Sequence, residues 1–481
     1  MSTFEVDLVK DSTMQNIAAI LAAQGAGQGS HGLQVKSYDD VLSIVRLGLA
    51  PQIFSVGDVI EVGRETKVQA SLGEHTGITA VSVDEDKFVT AMDEAGEKEY
   101  EIIFDGSAWK YGDLPIILAD YGLTVTGTAA QGDTIIVVET ASTINMVVMD
   151  YIMDGQTSKG NIKLHDKTKK HGLILQSEKL LYNLQFDERE AFYYAPEGLA
   201  AGTYHFTLGD HSWVSGDVGK VFQFTLTKAV PAGGQLVFVQ SYNVTLTGGS
   251  IRVFASNSST TVEETVVMSE GSGGTDLGTL GNTVHDNFNS CQRALLGSNR
   301  WSTSAMRQHL NSGKVAGSVW APQTNYDRPP SWVASTAGFE HGLDPEFIKI
   351  CADVELLTAL NTVCDITPAE GSAGTGFETT VDKFFLPSRP EVFGGSDNAS
   401  DKGDAWQYYA ANSDVPGGAS NANADSNRIK VNASGTPYYW WLRSPNVGNG
   451  SSVRHILPSG SIISYYLAIN SYGVAPACVV A

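Results

Sequence analysis

The sequence predicts an α+β, β-rich fold. Short runs of Val, Ile, Phe and Thr recur between Gly, Pro, Asn and Asp turns, which is the pattern of strands and hairpins. Glycine supplies 50 of the 481 residues and charged residues only 17%, as in turn-rich extracellular or structural proteins rather than helical ones. Helical periodicity is confined to a few short stretches. A chain of this length exceeds one compact core, so about three units are expected.

Taken in order, residues 14–23 place Met14, Ile17, Ile20 and Leu21 on one helical face, a stripe suited either to copies of itself or to its own chain. After a glycine-rich break at 25–32, Ser37 opens a second helix. Asp40 stands three residues on as a capping partner, and Val41, Ile44 and Val45 form the apolar face. Residues 1–53 therefore read as a short helical segment for attachment or oligomerisation. Residues 54–62 are β-branched and read as a strand whose partner is 144–152. Between them, 63–142 carry strand signals at 77–83, 100–104, 123–126 and 134–138, with turns at Asp105-Gly106 and Gln131-Gly132-Asp133. This piece reads as an inserted small β-module. Its acidic cluster at 94–101 reads as a solvated hairpin, because no convergent ligand set accompanies it.

Residues 143–196 contain a short buried strand at 173–176. Residues 197–280 read as an inserted β-sandwich, with Phe222, Phe224 and Leu226 on one face and Gln223, Thr225 and Thr227 on the other. The run 269–274, SEGSGG, reads as its flexible exit linker. In 281–481, Ser302 is expected to cap a helix bearing Ala305, Met306, His309 and Leu310, and Asp344-Pro345 to start another. Residues 417–434 are rich in Asn, Ser and Ala and read as a long surface loop.

The formal net charge of −22 disfavours nucleic acid and anionic lipid, which attract Lys and Arg. Cys291, Cys351, Cys364 and Cys478 are scattered with no short pair for zinc, haem or redox chemistry, so free buried thiols are expected. Glu5, Asp7, Lys10 and Asp11 precede any apolar run, which is unlike a signal peptide. No segment is long and apolar enough to span a bilayer, so no membrane insertion is expected. Asp397, Asp401 and Asp404 could ligate calcium, but their spacing is not that of an EF-hand and a solvated loop is the expectation. No Ser, His and acid grouping is legible, and His309 reads as a packed core histidine. Cys478 stands alone in an apolar tail, where burial favours the unreactive thiol. No metal, cofactor or catalytic residue is expected.

The C-terminal stretch differs from the rest. It opens on Tyr438, Tyr439, Trp440 and Trp441 and closes on the small apolar run 473–481. Between them, 446–472 are mostly Asn, Ser, Gly, Tyr and Ile, without Lys, Glu, Gln, Met or Trp. Tyrosine gives large contact area at little rotamer entropy while Ser, Gly and Asn adapt their hydrogen bonds, so this is the composition of a recognition surface.

The block YYWWLRSP (438–445), the turn Pro458-Ser459-Gly460 and GVAPACVV (473–480) resemble the C-terminal variable domains of proteins diversified by retroelements. That family has a C-type-lectin-like fold related to formylglycine-generating enzymes. The resemblance implies that 54–62, 143–196 and 281–481 form one lectin-like domain holding the two β-modules. WSTSAMRQHLN (301–311) resembles a family helix motif, and DKFFLPSRPEVFGG (382–395) its central strand and following turn. In the family, adenine-directed copying turns asparagine-type codons into Ser, Tyr, Ile, His or Gly codons and never into Lys, Glu, Gln, Met or Trp codons, the types missing from 446–472. It implies ligand binding by Asn446, Asn449, His455, Ile463, Tyr465, Tyr466, Leu467, Ile469, Asn470 and Tyr472. Trp440, Trp441 and Arg443 would be the scaffold beneath, the arginine bonding carbonyls.

The expected protein is a receptor-binding protein of a bacteriophage particle, made in the bacterial cytoplasm and carried on the tail or virion surface. Its partners would be a host-cell surface protein or glycan, other virion proteins, and copies of itself with a homotrimer favoured, so that avidity multiplies a few aromatic anchors. The alternatives are a glycan-processing or formylglycine-generating-type enzyme, which needs paired carboxylates or an activated thiol, and a purely structural virion protein.

Overall fold

A computed structural model of the protein describes residues 37–84, 87–88, 99–154, 158–159, 161–188, 193–209, 217–238, 246–254, 262–280, 298–321, 329–361, 376–394, 403–411, 426–447, 450–461 and 465–481. The expectations for 14–23, for Asp397 and Asp401, and for Cys291 and Cys364 lie outside the described residues. The fold is α+β and β-rich with few, short helices. The chain forms two compact units, the smaller being Glu61–Ile144 with Gly342–Pro345.

In the smaller unit, Glu99–Phe104 alternates exposed and buried residues and pairs antiparallel with Trp109–Tyr111 on one side and residues 134–138 on the other. Leu114–Ile116 ends that sheet, and Pro115, which has no N–H to offer a further strand, suits an edge. Ile78–Val83 pairs with Leu123–Gly127. Ile78, Phe88, Tyr100, Ile102, Leu123, Ile135 and Val137 form the core. Asp133 locks the unit from within. Its buried carboxylate accepts the backbone N–H groups of Thr76 at 2.7 Å, Ile78 at 3.0 Å and Ala130 at 3.0 Å. These donors hold its carboxyl down at about 2, against the smaller opposing effect of burial. Gly77 also reaches it, and a Cβ there would lie 2.1 Å from the Thr128 carbonyl oxygen, so the approach needs glycine.

The larger unit contains three sheets besides the sandwich. In the first, Phe384–Phe385, Ala477–Val480, Gly172–Ser177 and residues 146–152 lie side by side. Every residue of Gly172–Ser177 is buried, which explains its continuous apolar run. Gly57 and Asp58 exchange backbone hydrogen bonds with Val148, pairing the two segments matched from sequence. Among the described residues, Phe384–Phe385 sits at the edge of this sheet rather than at its centre as expected, Phe384 pairing with Cys478 and Phe385 with Ala477. The second sheet orders Asn183–Gln185, Ser471–Gly473, Trp440–Pro445, Ser452–Ile456 and Tyr465–Leu467. The third joins Phe377–Asp382, Val354–Ala359, Ile162–Leu164 and Ser158–Lys159.

Helix Tyr38–Arg46 begins as its sequence predicts, with Ser37 Oγ accepting the Asp40 N–H at 3.2 Å and Val41, Ile44 and Val45 buried. The later helix Ala305–Leu310 is capped by Ser304, not Ser302: Ser304 Oγ accepts the Arg307 N–H, while Ser302 donates its hydroxyl to Glu378 at 2.6 Å. A neighbouring carboxylate outcompetes the helix end for Ser302. Arg389–Phe393, expected as a turn, is a short helix in which the Ser388 N–H donates to Glu391 Oε2 at 2.7 Å.

Residues 193–280 contain two four-stranded sheets around one apolar core of Phe206, Phe222, Phe224, Leu236, Phe238, Ile251 and Val253. Phe222, Phe224 and Leu226 point inward as the alternation predicts. SEGSGG corrects the linker expectation. Ser269–Glu270 pairs with Val221–Leu226, and Thr275–Leu280 runs parallel to Gly202–Leu208. Gly274, at φ +75°, passes so close to Thr203 that any Cβ would collide with its carbonyl, and the Gly273 N–H donates to Gln223 Oε1 at 2.9 Å. The glycines serve a tight crossing between strands rather than flexibility.

Candidate functional site

The second sheet carries the stretch singled out from sequence. Trp440–Pro445 is its middle strand, and every residue of it is buried. Ser452–Ile456 pairs antiparallel with it, Trp441 opposite His455, and Trp440 lies beside Gly473 on the other flank. The indole N–H groups of the two tryptophans donate to backbone carbonyls, Trp440 to Arg428 at 3.0 Å and Trp441 to Leu184 at 2.9 Å. Both rings are thus fixed beneath the surface. Arg443 is fully buried, and its guanidinium donates to the carbonyl of Leu386 at 2.8 Å, to Thr358 Oγ1 at 3.1 Å and to both oxygens of Glu391. Glu391 is a partner that sequence reasoning missed. Its one signal was the S-R-P-E run, which marks a helix start but says nothing of an arginine far downstream.

Strand pairing divides the expected binding residues between two faces. Val453 lies opposite Tyr466 and Arg454 opposite Tyr465. Side chains alternate along a strand, so Tyr466 shares a face with His455 and Trp441, while Tyr465 points the other way with Arg454. The Arg454 guanidinium sits 5.5 Å from the Tyr465 ring centroid. On the first face the rings pack together: Tyr472 stacks on Tyr439 at 5.0 Å, lies 4.7 Å from Trp441 and 4.9 Å from His455, and Tyr466 meets it at 6.0 Å. Burial, then the neighbouring phenols of Tyr466, Tyr439 and Tyr438, pushes the Tyr472 hydroxyl up to about 12. Tyr438 and Tyr439 belong to this cluster, although sequence reasoning had placed them only in the aromatic block.

Exposure separates the expected residues further. Tyr465 is 47% exposed and Tyr466 50%. Leu467, Ile469, Asn470 and Tyr472 are half-buried. Asn446 and His455 correct the expectation that they face a ligand, since they are 7% and 1% exposed. The Asn446 N–H donates to the Ser452 carbonyl at 2.8 Å and its own carbonyl accepts from Asn299 Nδ2 at 3.4 Å, so it turns the chain between strands. His455 is roofed by Tyr439, Tyr466 and Tyr472 over Trp441, and that burial holds its imidazole down at about 4. Codon composition constrains residue type and says nothing of depth. Asn449 and Ile463 lie outside the described residues.

What this surface offers is phenol hydroxyls and ring edges on a rigid floor. The five strands of the sheet contain no Asp, Glu or Lys, and the buried Arg443 and the stacked Arg454 are their only Arg residues. Among the described residues no group of three or more His, Cys, Asp or Glu side chains could hold a metal ion, and no helix is long and apolar enough to cross a membrane. His309 is packed, its Nε2 2.6 Å from Tyr182 Oη and its ring edge-on to Trp332. Cys478 does not stand alone: its neighbour is Cys351, and both are buried and free.

No curated protein and no solved structure matches the chain. A family model, described as a domain of unknown function (DUF6273), matches residues 280–481, the span that holds Arg443, its partner Glu391 and the tyrosine-bearing strands.

Proposed function

We propose that this protein is a ligand-binding protein whose C-terminal domain, of C-type-lectin-like kind, displays a diversified surface toward a host-cell or protein target, on a phage particle. The observation that carries the reading is that the edge strand of the sheet exposes two tyrosines, Tyr466 on the face of the buried Trp441 and His455 and Tyr465 on the opposite face beside Arg454. Exposed aromatic surface on a soluble fold usually marks an interaction site. Here the Asn-, Ser-, Gly- and Tyr-rich stretch 446–472 supplies strands on both flanks of the sheet's middle strand, the edge strand Tyr465–Leu467 among them, while the buried block 440–445 forms the middle. Binding of this kind needs no chemical step, and the absence of Asp, Glu and Lys from the sheet lowers the cost of desolvating it.

The test is a double variant, Tyr465→Ala with Tyr466→Ala, chosen over changes at Tyr472 because Tyr472 packs on Trp441. The expected result is an unchanged far-ultraviolet spectrum and melting midpoint with loss of binding to the cells the particle targets. Binding that survives the double substitution overturns the reading. The gene's neighbourhood supplies an independent check: a reverse transcriptase and a near-copy of the segment encoding the C-terminus are expected beside it.

A further inference from the structure

We propose that Cys351 and Cys478 form a disulfide that staples the C-terminal strand to the end of helix Pro345–Ile350 when the chain folds in an oxidising environment. The two residues are far apart in sequence, yet the fold brings them together in the core. Cys351 follows the helix directly, its N–H donating to the Phe347 carbonyl at 3.3 Å, and forms an antiparallel bridge with Val480. Ala352 extends that contact, its N–H donating to the Val479 carbonyl at 2.7 Å. Cys478 lies two residues before Val480, in the strand Ala477–Val480, opposite Leu175 on one side and Phe384 on the other. Cys351 is 4% exposed and Cys478 0%. The two thiols interact with each other, which fits side chains brought side by side by the Cys351–Val480 bridge.

Burial pushes the Cys351 thiol well up, and the thiolate is the attacking species, so the finished fold protects the pair from exchange. The bond therefore forms while the last strand is still docking. One cysteine thiolate attacks a small-molecule disulfide such as glutathione disulfide, giving a mixed disulfide and releasing one glutathione thiolate. The second cysteine thiolate then displaces the other glutathione. One S–S bond has formed and one has broken, and the glutathione disulfide has taken up two electrons while the protein thiols gave up two protons. The consequence for the tyrosine surface is positional: Gly473, which pairs beside Trp440, begins the run that the staple anchors.

The full chain, refolded in a glutathione–glutathione disulfide buffer, blocked with N-ethylmaleimide and digested without reductant, tests this. The expected product is a linked pair of peptides joining Cys351 to Cys478, and an oxidised protein that melts above its reduced form. That gap is expected to vanish in Cys478→Ala and in Cys351→Ala. Recovery of both cysteines as maleimide adducts, linkage through Cys291 or Cys364 instead, or a gap that persists in either variant overturns the proposal.

Discussion

Arg443 and Glu391 face each other as a fully buried, two-pronged ion pair, with Nη1–Oε2 at 2.6 Å and Nη2–Oε1 at 2.5 Å. The pair ties the middle strand of the tyrosine-bearing sheet to helix Arg389–Phe393. The remaining donors of the guanidinium are absorbed by Thr358 and two backbone carbonyls, so neither ion keeps an unmet partner. Breaking such a pair from one side strands a charge in the interior, at a cost of about 3–5 kcal/mol. Glu391→Ala is expected to destabilise the protein by that order in urea unfolding. Arg443→Lys, which keeps the charge but loses the fork, is expected to be destabilising as well.

His455 gives the same sheet a pH response. Its folded-state value is about 4 against an ordinary 6.5, because burial beneath three tyrosines disfavours the charged ring. The unfolded chain binds the proton first as pH falls, so the stability that His455 contributes is fully present above about 6.5 and is lost as pH drops toward 4. The full difference amounts to roughly 3 kcal/mol at most. Carboxylates titrate in the same window, so the informative quantity is a difference. Stability curves of the wild type and His455→Phe, measured by urea unfolding from pH 7 to pH 4, are expected to converge on acidification. Parallel curves would remove the role assigned to His455.

Much of this architecture is legible in residue order, and the illegible part has a physical cause. The alternation of Phe222, Phe224 and Leu226, the Ser37 cap and the Asp105-Gly106 turn are local signals, and the backbone follows each. Glu391, Cys351 and the depth of His455 depend on contacts between distant segments, where one sequence offers no period to count. Ser302 shows the intermediate case: its residue type suits a helix cap, but it bonds Glu378 instead and Ser304 takes the cap. Tyr465 and Tyr466 illustrate the limit of composition, since both are half-exposed as expected but strand alternation sends them to opposite faces.

In the smaller unit, Asp133 does the work of a core residue through polar contacts alone. Its carboxyl is held at about 2, below its ordinary value, so its contribution is present above the ordinary carboxylate range and is lost as pH falls through about 2. Asp133→Asn keeps the shape but replaces one acceptor oxygen by a donor facing backbone N–H groups. Hydrogen exchange is the suitable readout, because Thr76 donates to one carboxylate oxygen and Ile78 and Ala130 to the other, so at least one of these amides loses its acceptor. Exchange at these amides and along Ile78–Val83 is expected to accelerate, with protection of Gly172–Ser177 in the other unit unchanged.

Lys430 makes the opposite pH prediction. Its Nζ is buried against Trp440 and donates to the carbonyls of Ser177, at 2.5 Å, and Glu178, at 3.3 Å. Burial lowers its value from 10.5 to about 7, partly offset by Glu178. Between those values the unfolded chain holds a proton that the folded chain does not, so stability should rise as pH increases from about 7 to about 10.5. The largest rise this group alone could give is roughly 5 kcal/mol. Lys430→Met retains the length and apolar stem while removing the titration, and its stability relative to wild type should be greatest near pH 7 and shrink toward pH 10. Urea midpoints of the two proteins at pH 7, 8.5 and 10 decide it: a constant difference would mean that Lys430 keeps its ordinary value and that its carbonyl contacts hold a cation throughout.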